Sequence, residues 1–132
     1  MDIKFGRTII LVDDYDKAFD FYSLNFFCKK IYDAVSDDGS RYLHVAFNDK
    51  DTTGIWFLLA DTTDQKNKLG RQTAGQPTIV LYTDQSEALY NHLLSNGVTI
   101  IEQFVSAPTS KFFHCLDLYG NRITVVELLQ SL

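Results

Sequence analysis

The chain has 132 residues and a mass of 15.1 kDa, enough for one domain or two small halves sharing a core. Apolar residues make up 45% and charged residues 22%, and the net charge of −5 with no basic cluster excludes the electrostatic footprint of a nucleic-acid binder or of a protein held on an anionic membrane. Two prolines and seven glycines exclude a linker-like chain.

In chain order, Arg7–Val12 is β-branched and apolar and predicts a strand. Asp13 and Asp14 then offer side-chain acceptors to the first free N–H groups of a helix. Along that helix Tyr15, Ala18, Phe19, Tyr22 and Phe26 form one apolar stripe. Strands follow at Ile31–Ser36, Arg41–Phe47 and Gly54–Ala60, separated by turns at Asp37-Asp38-Gly39 and Asn48-Asp49-Lys50-Asp51. The segment Asp61–Gln76 is almost wholly polar and reads as a linker. Beyond it, Thr78–Thr83 is a strand, Asp84 a helix cap and Glu87 the partner that completes a capping box. Gly97 suits the left-handed residue that ends a helix. The last strands are Thr99–Ala107, Lys111–Asp117 and Arg122–Glu127, the final pair joined by a turn at Tyr119-Gly120-Asn121.

The longest apolar runs, Ile9–Val12 and Ile55–Ala60, fall far short of the roughly 20 residues of a transmembrane helix. The start, Met-Asp-Ile-Lys, has no apolar signal core, so a cytoplasmic location is expected. Cys28 and Cys115 lie in apolar stretches without CxxC spacing and read as buried thiols in a reducing compartment.

The two halves are related. At a shift of 70 residues, Thr8–His44 aligns without gaps onto Thr78–His114, with 11 of 37 positions identical, among them Asp14/Asp84, Ala18/Ala88 and His44/His114. Two copies are too few for a solenoid, and a duplicated module folded about a pseudo-twofold axis accounts for them. The organisation is α+β: two tandem βαβββ modules, about 1–60 and 77–132, joined by the linker 61–76, in a single domain.

These residues resemble the vicinal oxygen chelate superfamily of glyoxalases, bleomycin-resistance proteins and extradiol dioxygenases. The resemblance rests on Val12-Asp13-Asp14 followed by Ala18, Phe21 and Tyr22, on Gly97 after the second helix, and on Asp117-Leu118-Tyr119-Gly120-Asn121, where Leu118 stands in place of the usual proline. It implies curled mixed sheets that enclose a cavity, and a homodimer.

Enzymes of that family hold a divalent metal with His or Glu side chains from the first and fourth strands, leaving open positions for substrate oxygens. Mapped by the family spacing, those positions fall here on Arg7, on Pro77 and on Thr124, while Gly54–Ala60 contains no His, Asp or Glu. No standard metal set and no cofactor are therefore expected. His92 reads as a surface or boundary side chain. His44 and His114 are equivalent by duplication: they are cavity-wall or hydrogen-bonded strand histidines, or they meet and bind a metal in a non-standard way with Glu127. No nucleophile elbow and no phosphate-cradling glycine loop is present.

Strand alternation puts Arg7, Ile9 and Leu11, with Arg122, Thr124 and Val126, on the ligand face implied by the resemblance, and Ile10, Val12, Ile123 and Val125 in the core. Tyr42, His44 and Ala46 share the ligand face of the third strand, and Trp56 lies in the fourth. The candidate ligand-binding residues are Arg7, Tyr42, His44, Trp56, His114 and Thr124, an aromatic wall with polar points that suits a planar or amphipathic small molecule with an anionic group for Arg7. A metal-free protein that sequesters a small molecule fits the missing ligands. A metal-dependent lyase or dioxygenase with non-standard ligands is the alternative, and a structural or interaction role the third.

Overall fold

The computed structural model describes residues 1–50 and 53–130. The chain divides into two compact units, Met1–Leu69 and Gly70–Leu132, each built on one mixed four-stranded sheet. The fold class is α+β, with open sheets rather than closed barrels.

In the first unit, β1 (Arg7–Val12), α1 (Tyr15–Phe26), β2 (Lys29–Val35), β3 (Arg41–Ala46) and β4 (Gly54–Leu59) follow the predicted order. The sheet order is β1-β4-β3-β2, with β1 parallel to β4 and the other pairs antiparallel. Asp14 caps α1 as expected, its carboxylate accepting from the Lys17 N–H at 3.0 Å. The helix ends at Phe27, which takes the left-handed conformation (φ 61°) that glycine usually supplies. One face of the sheet packs beneath α1. Ile10, Val12, Leu43, Val45, Ile55 and Phe57 are fully buried there with Ala18 and Tyr22, and the Tyr22 and Phe57 rings meet at 5.5 Å. Gly54, at the start of β4, sits against the neighbouring strand: a Cβ built on it would lie 1.8 Å from the Val45 carbonyl oxygen. Of the predicted turn at 48–51, Asp51 lies outside the described residues.

The polar segment read as a linker carries a short helix, α2 (Thr63–Asn67). Thr62 and Gln65 form its capping box, with the Gln65 N–H donating to Thr62 Oγ1 at 3.1 Å and Gln65 Oε1 accepting from the Thr62 N–H at 3.1 Å. A helix polar on all sides leaves no hydrophobic period in the sequence, and only its cap pattern announces it.

The second unit repeats the scheme with β5 (Pro77–Tyr82), α3 (Ser86–Ser95), β6 (Ile100–Ser106), β7 (Ser110–Leu116) and β8 (Arg122–Leu128), in the order β5-β8-β7-β6. Its core holds Leu93, Phe113, Cys115, Ile123 and Val125, all fully buried, with Phe113 in edge contact with Tyr90 at 5.3 Å. The turn before β8 forms as predicted. Asp117 Oδ1 accepts from the Tyr119 and Asn121 N–H groups at 2.9 and 2.8 Å, and Gly120 takes the positive φ.

The cap of α3 departs from the sequence reading. The N-cap residue is Gln85, no local side chain caps it, and the predicted Asp84–Glu87 box does not form. Instead Glu127 reaches from β8, its Oε1 accepting from the Ser86 N–H at 3.0 Å and the Ser86 hydroxyl at 2.7 Å. Glu87 turns outward to Lys111 at 3.1 Å. A carboxylate 41 residues away satisfies one of the orphan N–H donors at the helix start, so sequence spacing alone does not reveal it.

Cys28 and Cys115 are buried free thiols, and burial pushes each up to about 12. No helix among the described residues is long and apolar enough to cross a membrane.

Candidate functional site

The sheet face turned away from α1 gathers four of the predicted residues. Ile9, Trp56, His44 and Tyr32 are register partners across β1, β4, β3 and β2, so they project from one face in a single row. The His44 imidazole lies between the Trp56 ring at 5.4 Å and the Tyr32 ring at 5.5 Å. Tyr42, two residues before His44 on the same strand, meets Trp56 at 6.1 Å. Arg7, one pleat below Ile9, donates from Nε to His44 Nδ1 at 3.1 Å and from Nη1 to the Gly6 carbonyl at 2.9 Å.

That hydrogen bond fixes the chemistry of His44. Arginine is always a donor, so Nδ1 is an acceptor and the proton of the neutral ring sits on Nε2. Nε2 is buried and has no hydrogen-bond partner among the described residues. Burial first, and the Arg7 charge second, hold the imidazole below its ordinary pKa, so it is neutral at pH 7. The sequence does not single out Tyr32, because the internal repeat aligns Ile31 with Ile101 and a bulge between Lys30 and Tyr32 moves the pairing by one residue.

The second unit places His114 and Thr124 in the matching row, Val80, Thr124, His114 and Ile101. His114 Nδ1 and Thr124 Oγ1 share a hydrogen bond of 2.8 Å, with Phe112 in edge contact at 5.9 Å. His114 too is held below its ordinary pKa, by burial and then by the Arg122 charge, against a smaller opposing effect of Glu102. Arg122, which the sequence reading put on this face without making it a candidate, donates from Nη2 to Glu102 Oε1 at 3.2 Å. Trp56 has no aromatic counterpart here, since Thr124 fills its register position.

The positions that the family spacing maps to metal ligands hold other groups. The first-strand position is a guanidinium already bonded to His44, the last-strand position is the Thr124 hydroxyl bonded to His114, and Glu127 is committed to Ser86. Among the described residues no three His, Cys, Asp or Glu side chains converge as ligands would.

The family model of the glyoxalase/bleomycin resistance protein/dioxygenase superfamily matches residues 4–125. The chain belongs to this superfamily. The solved structure of UcmS2 superposes with a TM-score of 0.82 at 21% identity, covering 96% of this chain and 98% of that one. TnmS3, an antibiotic-binding protein from Streptomyces sp. CB03234, superposes with a TM-score of 0.74 at 23% identity, covering 97% and 98%. An uncharacterized protein of Shewanella frigidimarina (strain NCIMB 400) is 28% identical over 126 residues, 90% of this chain and 89% of its own length. Two sheets of β-α-β-β-β plan, each with its edge strand parallel to the fourth, are thus the superfamily's architecture in this chain.

Proposed function

We propose that this superfamily member is a cytoplasmic, homodimeric protein that binds and sequesters a small molecule without a metal. The observation that carries the proposal is the face of the first sheet on which Arg7, at a mapped metal-ligand position, stands beside His44, Trp56, Tyr32 and Tyr42, so that a cation, a fixed imidazole and aromatic rings lie together. Aromatic rings favour a flat apolar partner and the guanidinium favours an anionic group on it. The antibiotic-binding relative TnmS3 supports the same class of role. In the second unit, His114 and Thr124 would add polar contacts to a ligand on that sheet's own exposed face.

Trp56 is the single tryptophan, so its fluorescence reports binding directly. A titration with 2-naphthoate should quench Trp56, with 2-naphthamide binding more weakly, and Arg7→Ala should weaken naphthoate by roughly tenfold while leaving the amide unchanged. Equal affinity for acid and amide, or an unaffected Arg7→Ala variant, overturns the anionic reading. Stoichiometric metal in the purified protein, or a rise of several degrees in melting temperature with Zn²⁺, Ni²⁺, Mn²⁺ or anaerobic Fe²⁺, overturns the metal-free part. Light scattering on the eluting protein tests the dimer.

A further inference from the structure

The second sheet carries a cation whose best hydrogen-bonding edge is only half used. A guanidinium presents Nε–H and one Nη2–H side by side, a fork that a carboxylate meets with both oxygens. In Arg122, Nη2 donates to Glu102 Oε1 at 3.2 Å, a long contact, while Nε is buried and has no partner among the described residues. A buried donor left unmet is unfavourable and marks a place where an acceptor belongs.

Glu102 reaches Arg122 by an unusual route. Its backbone takes φ 66°, the left-handed region that a β-strand residue avoids, and it lies where the β6–β7 register shifts between Ile101 and Val105. A strained backbone at such a spot points to function rather than to strand stability. The Glu102 side chain is 64% exposed and that of Arg122 only 22%. The carboxylate is thus the solvent-facing partner and the guanidinium the more buried one.

From this geometry we infer that Arg122 is a carboxylate-binding position masked by Glu102, and that a carboxylic acid ligand displaces the Glu102 side chain and takes both Nε–H and Nη2–H. Glu102 shows where the incoming group sits, and its single long bond is weaker than the paired bonds that replace it. Solvent-exposed ion pairs contribute little, so displacement is easily offset. His114, neutral and bonded to Thr124, adds no competing charge. The inference uses Arg122 and Glu102 alone and stands or falls apart from the reading of Arg7 and Trp56.

The arginine Nε–Hε resonances of ¹⁵N-labelled protein test it, with benzoate as probe and benzamide and inorganic phosphate as controls. Benzoate should shift the Arg122 Nε–Hε signal saturably, and benzamide should not. Glu102→Gln should tighten benzoate by roughly three- to fivefold, because the internal competitor loses its charge. Arg122→Lys keeps the charge but lacks the fork, and should lose most of the affinity while retaining a folded spectrum. An Arg122 signal that stays still in both the wild type and Glu102→Gln, or an affinity unchanged by Glu102→Gln, overturns the proposal. A phosphate shift equal to that of benzoate overturns the assignment to carboxylates.

Discussion

The two modules solve the same problem with different residues. Each sheet carries one histidine at the same register position and one arginine near it, but the arginine comes from β1 in the first module and from β8 in the second. In the first, the guanidinium bonds the imidazole, and aromatic rings flank the pair. In the second, a threonine bonds the imidazole and a glutamate takes the guanidinium. The α helices differ likewise: α1 is capped by its own Asp14, α3 by Glu127 from the end of the neighbouring strand β8. The two modules therefore share the backbone plan and the position of the histidine and differ in the partners.

The largest test of that comparison is in the cores. Phe57→Ala and Phe113→Ala should each cost roughly 3–5 kcal/mol in urea unfolding, since both rings are fully buried. A much smaller loss in one module would show that its core is the more adaptable. Next comes the cap. Asp14→Ala should cost about 1 kcal/mol, measured in the same way. Asp84→Ala, the matching change in the second module, should be nearly silent because that residue caps nothing.

Acid sensitivity separates the modules further. In the first, hydrogen bonds from Arg41, and more weakly from Lys30, pull the Asp33 carboxyl down to about 2. In the second, the Ser86 N–H and hydroxyl hold Glu127 below the ordinary carboxylate range. A carboxyl depressed on folding contributes its stability above its unfolded value of about 4 and loses it as the pH falls through the folded one. Melting temperature measured from pH 6 to pH 2 should fall less steeply in Asp33→Asn and in Glu127→Gln than in the wild type.

The smallest effect is on the imidazoles. Both are depressed, so the unfolded chain binds more protons; their contribution is full above about pH 6.5 and declines as the pH falls toward the folded values. NMR titration should show Arg7→Ala raising the His44 pKa only part of the way, because burial is the larger cause, and leaving His114 where it was. Arg122→Ala should do the converse.

The fold was legible because its signals are local. Strands such as Arg7–Val12 and the apolar stripe of α1 are set by neighbours within a few residues, and the internal repeat at a shift of 70 pairs His44 with His114. The partners were not legible. Arg7 meets His44 across 37 residues, Glu127 meets Ser86 across 41, and the bulges that set Tyr32 and Glu102 in place lie at different points of β2 and β6. Alternation predicts which face a side chain takes, and it correctly put Arg7 and His44 on the same one. Which hydrogen bond results depends on strand register, and one extra residue in a bulge changes that without leaving a mark in composition.

Gly54 constrains what this chain can become. It stands beside Arg7 in the sheet, at the head of β4, where any side chain would run into the Val45 carbonyl. A point mutation there to histidine or glutamate would have to push β3 and β4 apart before it offered a ligand. A metal-binding side chain at this position would therefore come only with a break in the β3–β4 pairing.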